Sequence, residues 1–278
     1  MNEKRALGFG EGRDSHKEDP SLKLPNYSTR ESGQPTSATA FRTTFACLSM
    51  HMRDRIRLLR FPDKDVTQIQ EIIRLSWTRG IQDTRVYDAA KEIKLYGNPW
   101  SPSSWSDEKT EARRLICNIL HGLFDMGWVL KASVDISKKE YDKDTLLFRY
   151  QRPPPPPCIW MSISFDKDDL LHLIDAPQDL GRLLVQAYGG KVQKYQINGS
   201  VFEIKFRGYP WRAAGTETVQ TRLILLTLLE CLEQQGFSLY AAIDQDNGPG
   251  GDSHSSEADT WFCNRQADWT PGAPIYHG

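Results

Sequence analysis

Apolar residues recur with two periods along this chain, and the order of those periods repeats once. Arg55 to Pro62 (R-I-R-L-L-R-F-P) alternates charged and apolar residues, the period of a half-buried strand. Asp63 to Asp65 read as a helix cap. Val66, Ile69, Ile72, Ile73, Leu75 and Trp77 follow at largely helical spacing, and Gly80 closes the run. Strands are expected from Ile81 through Val86 and from Ile93 to Tyr96, bending at Asp88-Ala89-Ala90. A polar loop, Ser101 to Glu108, leads into a second helix. Its apolar face is Ala112, Leu115, Ile116, Ile119, Leu120, Leu123 and Phe124, and Gly127 stops it. Trp128 to Asp135 and Asp144 to Tyr150 read as a hairpin with a charged loop, Ile136 to Lys143. Five prolines, Pro153 to Pro157, exclude strand and helix and read as polyproline II, a stiff spacer between two strands. Cys158 to Phe165 then alternates again as a strand.

The second half retraces the first. Glu92-Ile93-Lys94-Leu95-Tyr96-Gly97-Asn98-Pro99-Trp100 returns as Glu203-Ile204-Lys205-Phe206-Arg207-Gly208-Tyr209-Pro210-Trp211, so E-I-K-x-x-G-x-P-W recurs 111 residues on. Leu170 to Asp175 is set against Leu58 to Asp63, and Pro177 to Tyr188 against the first helix. Leu225, Leu228, Leu229 and Leu232 repeat the second helix face, and Gly236 to Asp244 repeats Gly127 to Asp135. Asp259-Thr260-Trp261-Phe262 repeats Asp144-Thr145-Leu146-Leu147. The intervening loop, Gln245 to Ala258, is longer and Gly-rich.

The expected fold class is therefore α+β: two tandem repeats of a two-layer β-α-β(β)-α-β-β module, related by a pseudo-twofold, with a split β-α-β unit as template. The expected boundaries are a disordered tail over 1–44, a first module over 45–166, a second over 167–268 and a C-terminal tail over 269–278. The short Asp166 to Asp168 connection implies close packing of the modules around the Cys158 to Phe165 strand. The repeated signature resembles an uncharacterised, chiefly fungal family of tandem-module proteins, over about residues 55 to 265. That resemblance implies kinship of fold and no activity.

Composition narrows the function. With 35 basic and 36 acidic residues the formal charge is −1, which gives no general pull toward nucleic acid or anionic membrane. Residues 1–44 hold too few large apolar side chains to offset ordering entropy. Ser15, Ser28, Thr29 and Ser32 in that tail are candidate phosphoacceptors. Met1-Asn2-Glu3-Lys4-Arg5 is not followed by an apolar run, and no membrane span is expected. Cys47, Cys117, Cys158, Cys231 and Cys263 are scattered and form no C-x-x-C pair, against both zinc and a disulfide framework. A reducing intracellular compartment, cytoplasmic or nuclear, fits.

Candidate site residues follow from the repeat. Trp100 and Trp211, with Asn98 and Tyr209 beside them, are either structural corners or aromatic anchors for a partner. Arg113 and Arg222 share one repeat position and are candidates for binding or for an internal ion pair. Asp135, Asp244, Asp144 and Asp259 lie at hairpin ends, where turn chemistry or acid–base work would place them. The Arg53 to Arg60 strand could meet RNA or DNA, although no aromatic RNA-binding signature accompanies it. The six histidines do not repeat between copies, and Gly248-Pro249-Gly250-Gly251 lacks the context of a phosphate loop. No catalytic residue, metal or cofactor is assigned. The leading reading is a non-enzymatic protein-interaction or scaffold protein that binds another protein. An enzyme at the inter-module cleft using Asp135 or Asp244 and a nucleic-acid binder are the alternatives.

Overall fold

The computed structural model describes residues 43–102, 108–135, 143–245 and 258–275. Residues 1–42 of the expected tail over 1–44, most of the Ser101 to Glu108 loop and most of both long hairpin loops lie outside the described residues. Twelve strands and four α-helices are described: β1 Phe45–His51, β2 Arg55–Leu59, α1 Asp63–Ser76, β3 Ile81–Tyr87, β4 Ala90–Leu95, α2 Glu108–Asp125, β5 Trp128–Val134, β6 Thr145–Tyr150, β7 Cys158–Asp166, β8 Leu170–Ile174, α3 Gln178–Tyr188, β9 Val192–Asn198, β10 Val201–Phe206, α4 Glu217–Gln234, β11 Ser238–Ile243 and β12 Thr260–Gln266.

They form two separate six-stranded sheets of one design. The first runs β3-β4-β2-β1-β6-β5 and the second, read from its other edge, β9-β10-β8-β7-β12-β11. Every neighbouring pair is antiparallel. Each module is thus α+β, with the order β-β-α-β-β-α-β-β. Within each, β2-α1-β3 and β8-α3-β9 form the expected split β-α-β unit, two parallel strands with β4 or β10 inserted antiparallel between them.

Four expectations are corrected here. First, β1 opens the first module. Its alternation puts Ala46, Leu48 and Met50 in the core and Phe45, Cys47 and Ser49 on the other face. Second, β7 belongs to the second sheet, between β12 and β8, so the second copy starts there and not near Asp168. Pro153 to Pro157 therefore joins the modules, and the Asp166 to Asp168 connection is a turn within one sheet. Third, β8 repeats β2 at an offset of 115 residues. Met52 and Lys167 share a positive φ, as do Arg60 and Asp175, which fixes the alignment. Leu170 thus answers Arg55, and His172 answers Arg57. Fourth, α1 is preceded by Pro62 with no side-chain cap. Asp65 is buried and accepts a 2.9 Å hydrogen bond from the Trp128 indole, a better use of a buried carboxylate than an exposed cap.

The helices pack on one face of each sheet. In the first module Ile69, Ile73, Leu115, Ile119 and Leu123 meet Leu48, Ile56, Ile93, Leu146 and Phe148 in one cluster. In the second, Leu180, Leu184, Leu228 and Leu232 meet Met161, Ile163, Leu173 and Ile204. Burying each such side chain contributes about 1.5–3 kcal/mol. The first cluster also takes in Trp160, Ala241, Ile243 and Phe262 from the second module's sheet. Helix α2 therefore lies between two sheets, while among the described residues α4 has a sheet on one side only.

Candidate interaction surface

The two Gly-x-Pro-Trp turns are corners of the fold. Gly97 and Gly208 have φ of +81° and +74°, a backbone other residues resist. The Trp100 ring is 0% exposed, and its indole donates to the Arg55 carbonyl at 3.0 Å. Trp211, half-buried, donates to the Leu170 carbonyl at 2.8 Å. Because Leu170 answers Arg55, this is one bond made twice. It ties the entry of each second helix to the second strand of its module. Trp100 is thereby a core residue and offers no anchor to a partner. Asn98 is exposed, with its backbone N–H 3.2 Å from the Glu108 carboxylate. Tyr209 is exposed on the rim of its turn. The structure does not bring these four residues together into one site.

The glutamate of the repeated signature centres a polar network on the helix-free face of each sheet. Glu92 is almost fully buried. It accepts from Arg57 Nε at 2.7 Å and Arg85 Nε at 2.9 Å, and it pairs with Arg55. Burial would raise its pKa, but hydrogen bonds from Arg57, Arg85 and Arg55 outweigh that and hold it down at about 2. The Arg57 guanidinium also sits 4.1 Å from the Tyr87 ring centre. The basic strand is therefore turned inward onto one carboxylate, with Arg53 and Arg60 exposed at its two ends.

In the second module the same position is Glu203, met by His172 Nε2 at 2.9 Å and Gln196 Nε2 at 2.9 Å. His172 Nδ1 lies 2.6 Å from Asp166, which also receives two bonds from Arg113, at 2.7 and 2.9 Å. Both imidazole nitrogens face carboxylates, an arrangement that favours the doubly protonated ring. Burial works against that charge, and the bonds to Asp166 and Glu203 overcome it, raising the His172 pKa. Burial also opposes the Asp166 charge, yet His172 and Arg113 hold its carboxyl well below the usual range.

Arg113 stands on α2 and Asp166 at the end of β7, so this chain of charges crosses between the modules. Arg114 adds a bidentate pair to Asp175, at 2.7 and 3.0 Å, and a bond to Ser200. Farther along the same side of α2, His121 stacks on Trp160 with ring centres 5.8 Å apart. Phe124 meets Trp160 and Tyr240 edge-on at 5.4 and 5.6 Å. The Tyr240 hydroxyl accepts from the Leu130 N–H at 2.7 Å. Asp144 joins this junction: its N–H bonds the Asp244 carbonyl at 3.2 Å, and its carboxylate accepts from the Asp244 N–H at 3.0 Å. Burial, then the nearby Asp144, raises the Asp259 pKa. These aspartates hold hairpin ends together. A groove of about 290 Å³ near them is lined by Leu130, Lys131, Ala132, Ser133, Tyr240, Ala241 and Ala242, and includes none of the candidate carboxylates. Among the described residues no group of three or more His, Cys, Asp or Glu side chains could hold a metal ion.

Arg222 takes a different course from Arg113. It is exposed and donates to the Thr218 carbonyl one turn back, at 2.9 Å. On α4 it is flanked by Val219, Leu223 and Leu226, which are 57%, 44% and 54% exposed. These stand at i, i+4 and i+7, one stripe of the helix. At the 109-residue offset they answer Thr110, Arg114 and Cys117, on the side of α2 that the second sheet covers. The stripe escapes a reading of the sequence alone, because an all-round apolar helix there reads as buried. The clue was Arg222 recurring at Arg113's position with Leu223 beside it where the first copy has Arg114.

One family profile matches the chain twice, over residues 44–149 and 159–264, and both matches open at the first strand of a copy. No curated protein matches the chain. Among solved structures, a conserved kinetoplastid-specific protein from Trypanosoma cruzi is 18% identical, with a TM-score of 0.29 over 39% of this chain and 97% of its own. At that score the likeness says nothing further about this fold. A chiefly fungal distribution finds no support in these matches.

Proposed function

The chain belongs to the family that this domain defines and carries two copies of it, and from that premise we propose that it is a non-enzymatic protein-interaction scaffold. The observation that carries this reading is the α4 stripe. Three large apolar side chains stand in water on the face that its sister helix α2 uses to bind a sheet. Scattered surface leucines are ordinary, whereas a contiguous apolar stripe framed by charge is the composition of a docking surface. Tyr209, 68% exposed at the base of the same helix, adds an aromatic neighbour. Five free cysteines support a reducing, intracellular setting. No described helix is long and apolar enough to cross a membrane.

The alternatives have less behind them. For an enzyme at Asp135 or Asp244, the neighbouring carboxylates should converge on a cleft, but Asp144 and Asp244 bond each other's backbone. For a nucleic-acid binder, Arg55, Arg57 and Arg85 should face outward, but they converge on Glu92.

Affinity purification of the full chain from its native cell tests the scaffold reading. The wild-type protein should retain at least one partner that the Leu223→Glu/Leu226→Glu variant loses, with both chains melting alike. Identical recovery by the two folded proteins would overturn it.

A further inference from the structure

The face that α2 binds and the face that α4 presents imply a specific occupant. Within the chain, the side of α2 carrying Arg113, Arg114, Cys117, His121 and Phe124 packs on the helix-free face of the second sheet, around Trp160 and Phe262. Each partner in this contact has a repeat-related copy at an end of the molecule. The copy of the α2 side is the exposed α4 stripe. The copy of the sheet face is the helix-free face of the first sheet, where Phe45 stands at the position of Trp160 and Leu147 at that of Phe262. The registers agree: Cys47 pairs with Leu147 as Ser162 pairs with Phe262. Phe45 and Leu147 are 49% and 37% exposed.

We propose that α4 of one copy of this chain docks on the helix-free face of the first sheet of a second copy, head to tail, repeating between molecules the contact that joins the modules within one. This rests on the scaffold reading and names its partner.

Charge supports the same register. Where α2 places His121 and Phe124 over Trp160 and Tyr240, α4 carries Glu230 and Glu233. The second copy offers Phe45, with Arg149 paired beside it, and Lys131 at Tyr240's position. An aromatic cluster inside the chain is thus replaced by acid against base between chains, which favours pairing between copies. The exceptions are Arg222, which meets His51 where Arg113 meets Asp166, and Leu223, which meets Arg60 where Arg114 meets Asp175. Those substitutions remove both ion pairs and make the contact between chains weaker than the one within. A head-to-tail contact uses two different surfaces, so it leaves one of each free and does not close at a dimer.

Two variants test this together. Leu223→Glu/Leu226→Glu blocks the helix end, and Phe45→Glu/Leu147→Glu blocks the sheet end. The wild-type mass by sedimentation should rise with concentration past the dimer. Each variant alone should stay near 31.8 kDa at all concentrations. Mixed in equal amounts, the variants should form one heterodimer of twice that mass and nothing larger, through the intact helix end of one and the intact sheet end of the other. A wild-type chain that is monomeric throughout overturns the proposal. So does association that only the helix variant abolishes, which would mean a symmetric helix–helix contact, and so does failure of the mixed variants to pair. In each case the loss of a cellular partner by Leu223→Glu/Leu226→Glu would still stand for the scaffold reading, so the two ideas fail separately.

Discussion

A glutamate at one repeat position meets three arginines in the first module and a histidine and a glutamine in the second, and the two networks respond to pH in different ways. Glu92 has a folded pKa near 2, below its ordinary value of 4.5. Its contribution to stability is therefore present above about 4.5 and is lost as pH falls toward 2. Asp166 is depressed in the same sense. His172 is raised above its ordinary 6.5, so its contribution is complete below that value and is lost as pH rises through the folded pKa. The melting temperature should consequently decline on both sides of a weakly acidic optimum. Glu92→Gln should flatten the acid limb, and His172→Gln the limb above 6.5. A His172→Gln profile with an unchanged upper limb would show that the ring is neutral in the fold. The signature itself was visible in the sequence as E-I-K-x-x-G-x-P-W. Its glutamate could not be read as the centre of a network, because Arg57 and His172 come from neighbouring strands whose pairing is long-range.

Helices α2 and α4 have the same length and the same place in their modules, but they differ in how many sides are buried. The core side of α2 was legible from helical spacing, since Ala112, Leu115, Ile116, Ile119, Leu120, Leu123 and Phe124 are all buried. Its second side was not. Arg113 and Cys117 are buried by a sheet whose first strand, β7, lies some forty residues on, and no local period announces that. The sheet that β7 joins is hidden for a related reason: alternation shows that a segment is a strand and not which sheet it joins. Matching substitutions on the two helices separate the cases. Cys117→Glu would bury an unpaired charge between α2 and the second sheet and should cost roughly 3 kcal/mol or more. Leu226→Glu at the same repeat position should change stability by no more than about 0.5 kcal/mol. Denaturant unfolding of the two variants reads both numbers, and equal losses would mean that α4 is covered as α2 is.

At the scale of the whole molecule, sheet, helices, sheet and helices follow one another, and the ends of that series are unlike. One end is a sheet face with Phe45 and Leu147 exposed, and the other is the α4 stripe. The tandem repeat and the α+β class could be read from the sequence because the signature and the second-helix patterns recur. The two end faces could not, because they appear only once the copies are stacked and one interface is seen to be filled. The central claim is that the α4 stripe is a docking face, and hydroxyl-radical footprinting of side chains tests it most directly. Dilute purified protein and the same protein in its native extract should be labelled in parallel. Leu75 on α1 and Val86 on β3, 80% and 72% exposed, serve as internal references. Val219, Leu223 and Leu226 should be labelled in dilute protein and protected in the extract while Leu75 and Val86 keep their reactivity; equal labelling of the stripe in both would contradict the claim.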